Sequence, residues 1–266
     1  MWRAELITQF RRRRMKVLLV VLAAIPALLA VAVYLSGGPE AGNGPTFLDQ
    51  VTHNGVFAAL AGLTITIPFF LPLTVAVVAG DSISGEASLG TLRYLLVRPA
   101  GRTRLLAVKA GTAAVYCLAA ALSVAIGGLI AGTILFPIGR LTTLSGTSLS
   151  LFGGVMRTFA AALVVGMSFF GLAAVGLFIS TLTDVPVGAM AATVAFAIFS
   201  AILDNVPQVR AMHPWLVTHH WLAFGDLLRS PVRWNDIVKD LTLQLGYVAV
   251  FCTAAWARFS TKDVLA

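Results

Sequence analysis

Charge is what this sequence has least of: Asp, Glu, Lys and Arg make up 11% of its 266 residues, against roughly 25% in a soluble globular domain. Hydrophobic residues make up 58%, which excludes a water-soluble chain. At about 20 residues per crossing there is room for six helical spans with their loops, and not for an additional soluble domain of ~100 to 150 residues. Cysteine is nearly absent. Cys117 and Cys252 both fall in apolar runs, where a small packing role outweighs a disulfide or a metal pair. A phosphate loop of the form G-x-x-x-x-G-K-[ST] is also missing, because the four lysines follow Met15, Val108, Val238 and Thr261, never Gly. Energy from ATP would have to come from another polypeptide. No catalytic residue is expected in this chain, and it does not read as an enzyme.

Uncharged apolar runs at 17–35, 56–79, 110–135, 158–182, 185–203 and 241–257 predict six transmembrane helices. Lipid admits only helices or closed barrels, and these runs are too continuous for the alternation of a barrel strand. Pro26, Pro68 and Pro72 fall inside spans and predict kinks. None of the six runs contains an ionisable residue, and His53, His213, His219 and His220 all lie outside them. That argues against a proton-driven pump and against an intramembrane hydrolase. It weighs less against sodium, which carbonyls at broken helices hold. Thr183 and Asp184 alone separate spans four and five, so a tight hairpin is expected, with Asp184 as N-cap and Pro186 in the first turn. Gly128 and Gly132 in span three, and Gly166, Gly171 and Gly176 in span four, allow close helix approach.

Orientation follows from the basic residues, which stay in the cytoplasm when they flank spans. Arg3, Arg11 to Arg14, Lys16, Arg93, Arg98, Arg102, Arg104, Lys109, Arg258 and Lys262 would share one side, thirteen of nineteen. Arg140, Arg157, Arg210, Arg229, Arg233 and Lys239 would share the other. With acids counted, the whole net charge of +8 falls on the first side and the second is neutral. Both termini are therefore expected in the cytoplasm, in a multi-pass protein of the cytoplasmic (plasma) membrane. An impermeant thiol reagent should accordingly spare Ser84→Cys and label Gly42→Cys. Residues 1–16 read as an amphipathic interfacial segment, with Trp2, Leu6 and Phe10 at four-residue spacing among polar neighbours, and 17–266 as a single six-span domain. The first apolar run is too long, and its flank Tyr34 to Gly38 too unlike A-x-A, for a cleaved signal peptide. Arg11 to Arg14 beside a span mark topology and anionic headgroups, not nucleic acid.

Residues 80–109 are far longer than a turn between adjacent helices needs. Leu89, Leu92 and Leu96 keep helical spacing, Leu95 widens that face, and Pro99-Ala100-Gly101 ends it. An amphipathic helix held between spans two and three must lie on lipid or dock into a partner. The run Glu86-x-x-x-Gly90-Thr91-Leu92-x-x-Leu95-Leu96-x-x-Pro99-x-x-Arg102, followed by Lys109, resembles the cytoplasmic signature of ABC-2 type permeases, the membrane subunits of ATP-binding-cassette exporters. The resemblance implies a coupling helix seated in a groove of an ATPase. On that basis Leu89, Leu92, Leu95 and Leu96 form the docking face. Glu86, Arg93, Arg98 and Arg102 are its charged contacts, and Gly90, beside Thr91, permits close approach or a bend. It further implies a dimer with a second permease subunit, identical or homologous, and two copies of an ATPase that binds the ATP and Mg, with no cofactor in this chain.

Residues 204–240 hold Trp215, Trp221 and Trp234 together with His213, His219 and His220. Tryptophans at span ends suit interfacial anchoring, and the resemblance implies a pair of re-entrant helices capping the outer side before span six. The histidines read as interfacial polar residues and not as a metal site, since no Cys joins them and adjacent His219 and His220 diverge on a helix. The expected whole is an all-α permease exporting a lipid, peptide or drug-like solute by alternating access, with no residue singled out for substrate contact. A sodium-coupled carrier and a non-transporting anchor that recruits an ATPase are the rivals.

Overall fold

The computed structural model describes residues 2–36, 48–90, 101–139, 141–142 and 145–261. It is an all-α polytopic membrane protein. Five helices are long and apolar enough to cross a membrane, and six crossings result when one bent pair counts as a single span. An N-terminal helix α1 (Trp2–Arg11) is followed by α2 (Arg13–Leu35), which is span one, and by a single turn α3 (Leu48–Val51). Span two is the bent pair α4 (Phe57–Thr66) and α5 (Phe70–Ser88). Span three is α6 (Arg102–Leu135), span four the near-continuous pair α7 (Leu151–Ser168) and α8 (Phe170–Leu182). Span five is α9 (Pro186–Asp204) and span six α10 (Asn235–Thr261). Between them the chain runs in 3-10 helices at Pro207–Trp215 and Ala223–Leu228. Strands β1 (Leu141–Thr142) and β2 (Ser148–Leu149) pair antiparallel in a short hairpin before span four.

The expected kink of span two is present. α4 and α5 meet at 59° around Pro68, whose missing N–H breaks the helical ladder; Phe69 leaves helical geometry at φ −138°, ψ −56°. Pro72 sits in the first turn of α5, where no bond is lost, and α2 runs through Pro26 unbroken. At the hairpin between spans four and five, Pro186 opens α9 as expected, but the N-cap is Val185 and not Asp184. Thr183 Oγ1 instead accepts from the Val185 N–H at 3.1 Å. Ser150 does cap α7, its Oγ accepting from Gly153 N–H.

Span four is the centre of the bundle: 72% of its most apolar stretch is buried, against 17–22% for spans one, five and six. Those three therefore carry the faces left for lipid or a second subunit. Span three packs between span one and α4, close enough that a Cβ on Gly132 would lie 2.0 Å from the Gly55 carbonyl oxygen and one on Gly128 2.4 Å from Ala59 Cα. Only a hydrogen fits there, so these glycines serve contacts inside the chain. Gly166, Gly171 and Gly176 likewise meet Leu118, Gln244 and Ala79 of this same chain.

One expectation is corrected by the helix lengths. Span six begins six residues before the apolar run, at Asn235, so Asp240 lies within it and is fully buried. Its carboxylate accepts from Ser168 Oγ of span four and, at 3.1 Å, from Gln244 Nε2. Gln244 also donates to the Val217 carbonyl at 3.1 Å. The spans thus do contain an ionisable group, retained because its lone pairs are matched by donors.

Candidate functional site

One end of the bundle gathers the basic residues. Arg14 at the start of span one pairs with Asp81 of α5, and Arg12 stands 3.9 Å from the same carboxylate. Lys109 of span three, 6% exposed at its side chain, pairs with Glu86 of α5 and at 2.6 Å with Glu5 of α1. Helix α1 lies along span three, with Trp2 against Gly111 and Phe10 beside Tyr116 at a ring separation of 6.5 Å. Both expected interfacial aromatics therefore touch protein, while Ile7 is exposed on the other side. α5 is fixed to span four as well: Ser180 Oγ accepts from the N–H groups of Ile83 and Ser84 at 3.0 and 2.9 Å. An open cleft of about 930 Å³ lies among Arg12, Arg14, Asp81, Glu86, Lys109 and Pro186.

The residues expected to meet an ATPase are placed as follows. Glu86 turns inward to Lys109. Leu89 follows the last turn of α5 and is 77% exposed. Gly90 stops that helix in the left-handed region at φ +67°, with open space around it, so it supplies the bend and not a close approach. Thr91, Leu92, Arg93, Leu95, Leu96, Arg98 and Pro99 lie outside the described residues. Arg102 opens span three and donates from Nη1 to the carbonyls of Phe259 and Ser260 at 3.2 and 2.7 Å, at the end of span six. Next to it, Trp256 Nε1 donates to Thr103 Oγ1 at 2.9 Å. The two flanks of the segment are thus tied to one another through Glu86 and Lys109, and to α1 and spans one, four and six.

The opposite end carries irregular chain. Arg157 of α7 donates to the carbonyls of Leu227 and Arg229, both at 3.1 Å, and Tyr247 of span six to that of Trp215 at 2.9 Å. Trp221 is 4% exposed and packs on Phe169 at a ring separation of 4.4 Å, so it is a core residue and not an interfacial anchor. Trp2, Trp215, Trp234 and Trp256 are exposed. The cap before span six is built of 3-10 turns where a pair of re-entrant helices was expected. Burial lowers the His220 imidazole pKa below its ordinary value, and neighbouring His219 pushes the same way. An apolar groove of about 780 Å³ runs between spans five and six, lined by Phe196, Trp215, Tyr247, Val250 and Phe251.

Residues 24–265 match the family described as "Protein of unknown function (DUF2705)". The chain belongs to that family. A stretch of 88 residues is 38% identical to the probable ABC transporter permease protein NosY of Pseudomonas aeruginosa. That stretch is 33% of this chain and 30% of the relative, so less than a third of the permease's length is matched. The family description assigns no activity. The local identity and the multi-pass architecture are what bear on one.

Proposed function

We propose that this chain is the membrane subunit of an ABC-2 type exporter, moving an apolar or amphipathic solute outward by alternating access with energy from a separate ATPase. The reading is supported by the local similarity to a probable ABC permease and, above all, by one observation of the fold. The salt bridge of Lys109 with Glu86 joins the two flanks of residues 80–109 to each other, and Glu5 joins them to α1. A push on the segment between those flanks is thereby delivered to several spans together, as a coupling element requires. In this assignment the basic end is cytoplasmic and Leu89, Leu92, Leu95 and Leu96 meet the ATPase. Glu86 and Arg102 brace the segment from within the chain, while Arg93 and Arg98 are left for charged contacts. Two ATPase copies bind the ATP and Mg, and a second permease subunit completes the pathway. The aromatic groove between spans five and six suits an apolar solute.

The test is recovery of an ATPase with the tagged full chain from its native membrane, and its loss in Leu92→Asp. Recovery of the chain with no ATPase, or Leu92→Asp retaining both partner and transport, overturns the proposal. A sodium-coupled carrier is the second reading, favoured by the break in span two. It requires transport in vesicles that follows a sodium gradient without ATP.

A further inference from the structure

The histidines have a carboxylate beside them where no Cys joins them: Asp204 closes span five one turn before the 3-10 helix that carries His213. Asp204 Oδ1 lies 2.5 Å from His219 Nδ1 and 3.8 Å from His213 Nδ1, and one ligand atom from each of the three residues falls within 4.8 Å of the others. The side chains are 22%, 31% and 16% exposed in the order Asp204, His219, His213, sheltered yet within reach of solvent.

His213 is oriented by its other nitrogen. Nε2 stands 3.1 Å from the Val206 carbonyl oxygen, which accepts a hydrogen bond and cannot donate one. The ring proton therefore sits on Nε2, and the Nδ1 that faces Asp204 presents a lone pair. Without an ion, the carboxylate accepts a hydrogen bond from His219 Nδ1, and a metal bound among the three would displace that proton while taking up the His213 lone pair. His213 is also held as metal-ligating histidines commonly are, with the second nitrogen fixed by a backbone carbonyl.

We infer that Asp204, His213 and His219 form a binding site for a divalent transition-metal ion of the zinc class. Two imidazoles and one carboxylate make a donor set that zinc takes up, with a fourth position left for water or a substrate group. Ligands at ~2.0 to 2.1 Å in a tetrahedron stand about 3.3 Å apart, so His213 would close in slightly from 3.8 Å and the His219–Asp204 hydrogen bond would open from 2.5 Å as the ion replaces its proton. The ion would tie the end of span five to the cap, which is already bonded to span four through Arg157 and to span six through Tyr247. His220 is left out: its ring meets that of His219 edge-on, with centroids 4.6 Å apart, and it does not join the three residues whose ligand atoms converge.

The experiment is zinc titration by calorimetry of the full chain in detergent, purified through a tag without histidine, together with its melting temperature with and without zinc. One zinc per chain is expected, raising the melting temperature, with affinity falling about tenfold or more in Asp204→Asn, His213→Gln and His219→Gln and unchanged in His220→Gln. The isosteric Asp204→Asn guards against loss of fold, which the zinc-free melting temperature reads directly. No zinc uptake by the wild-type chain, or an equal loss in His220→Gln, overturns the site.

Discussion

The two ends of the bundle are both polar, yet they are held by different means. At the basic end, charge meets charge between regular helices: Arg14 with Asp81, and Lys109 with Glu5 and Glu86. At the opposite end, apart from His219 with Asp204 and the local pairs Arg229–Asp226 and Lys239–Asp236, side chains meet backbone. Arg157 takes two carbonyls of the cap, Gln244 and Tyr247 one each, and Asn54 Nδ2 donates to the Gly139 carbonyl at 3.0 Å. The difference follows from the backbone. A helix satisfies its own carbonyls, so contacts between helices fall to side-chain pairs, whereas 3-10 turns and loops leave carbonyls that need outside donors. Ion pairs make the basic end stiff but dependent on each partner; carbonyl bonds make the cap tolerant, since water can replace a lost donor.

The sharpest break in that comparison is Lys109→Ala. It leaves Glu5 and Glu86 facing each other without their shared cation, and removing one partner of a fully buried pair costs about 3 to 5 kcal/mol, an upper bound here because both carboxylates line the open cleft. A large drop in melting temperature and yield is expected in detergent. Most of it should return when Lys109→Met is combined with Glu5→Gln and Glu86→Gln, because no uncompensated charge is then buried. A full recovery by Lys109→Met alone would show that the carboxylates find water and that the pair does not organise this end.

Arg157→Ala should cost less, about 2 kcal/mol, since it removes two hydrogen bonds from a charged donor but exposes carbonyls at a half-solvated surface. Arg157→Lys should fall between the two, keeping the charge on a shorter side chain that reaches less well the two carbonyls now met by Nη1. Melting curves of the three proteins measure the order. Should Arg157→Ala prove worse than Lys109→Ala, the cap and not the ion cluster would be the rigid end.

The same contrast explains what was legible in the sequence. Six spans followed from the apolar runs, and the bend of span two from Pro68, because lipid and a missing N–H leave few alternatives. The apolar runs end short of the helices because a charge marks the edge of a span only where nothing in the fold compensates it. Lys109 and Asp240 carry charge inside helices, and their compensation by Glu5, Glu86, Ser168 and Gln244 depends on helices far apart in the chain. Glu86 and Lys109 stood in the same motif, 23 residues apart, yet their pairing needed span three to return alongside α5. The grouping of Asp204 with His213 and His219 was hidden for the same reason. Spacing on a helix separates the histidines, and only the 3-10 cap turns them toward one carboxylate.

The smallest expected effect on stability comes from the substitutions that assign each end to a side of the membrane. Ser84, which the sequence presents as a loop residue, is fully buried and gives its hydroxyl to the Gly80 carbonyl at 2.6 Å. A thiol there would be shielded on either side. Ser88 and Gln208 are exposed at the basic and opposite ends, and exposed substitutions of this kind usually stay within about 0.5 kcal/mol. In a chain whose Cys117 and Cys252 are replaced by Ala, an impermeant maleimide should leave Ser88→Cys unlabelled in intact cells and label it after permeabilisation, while Gln208→Cys labels in both. The reverse pattern would put the ion cluster outside and leave the segment after α5 beyond the reach of any cytoplasmic ATPase.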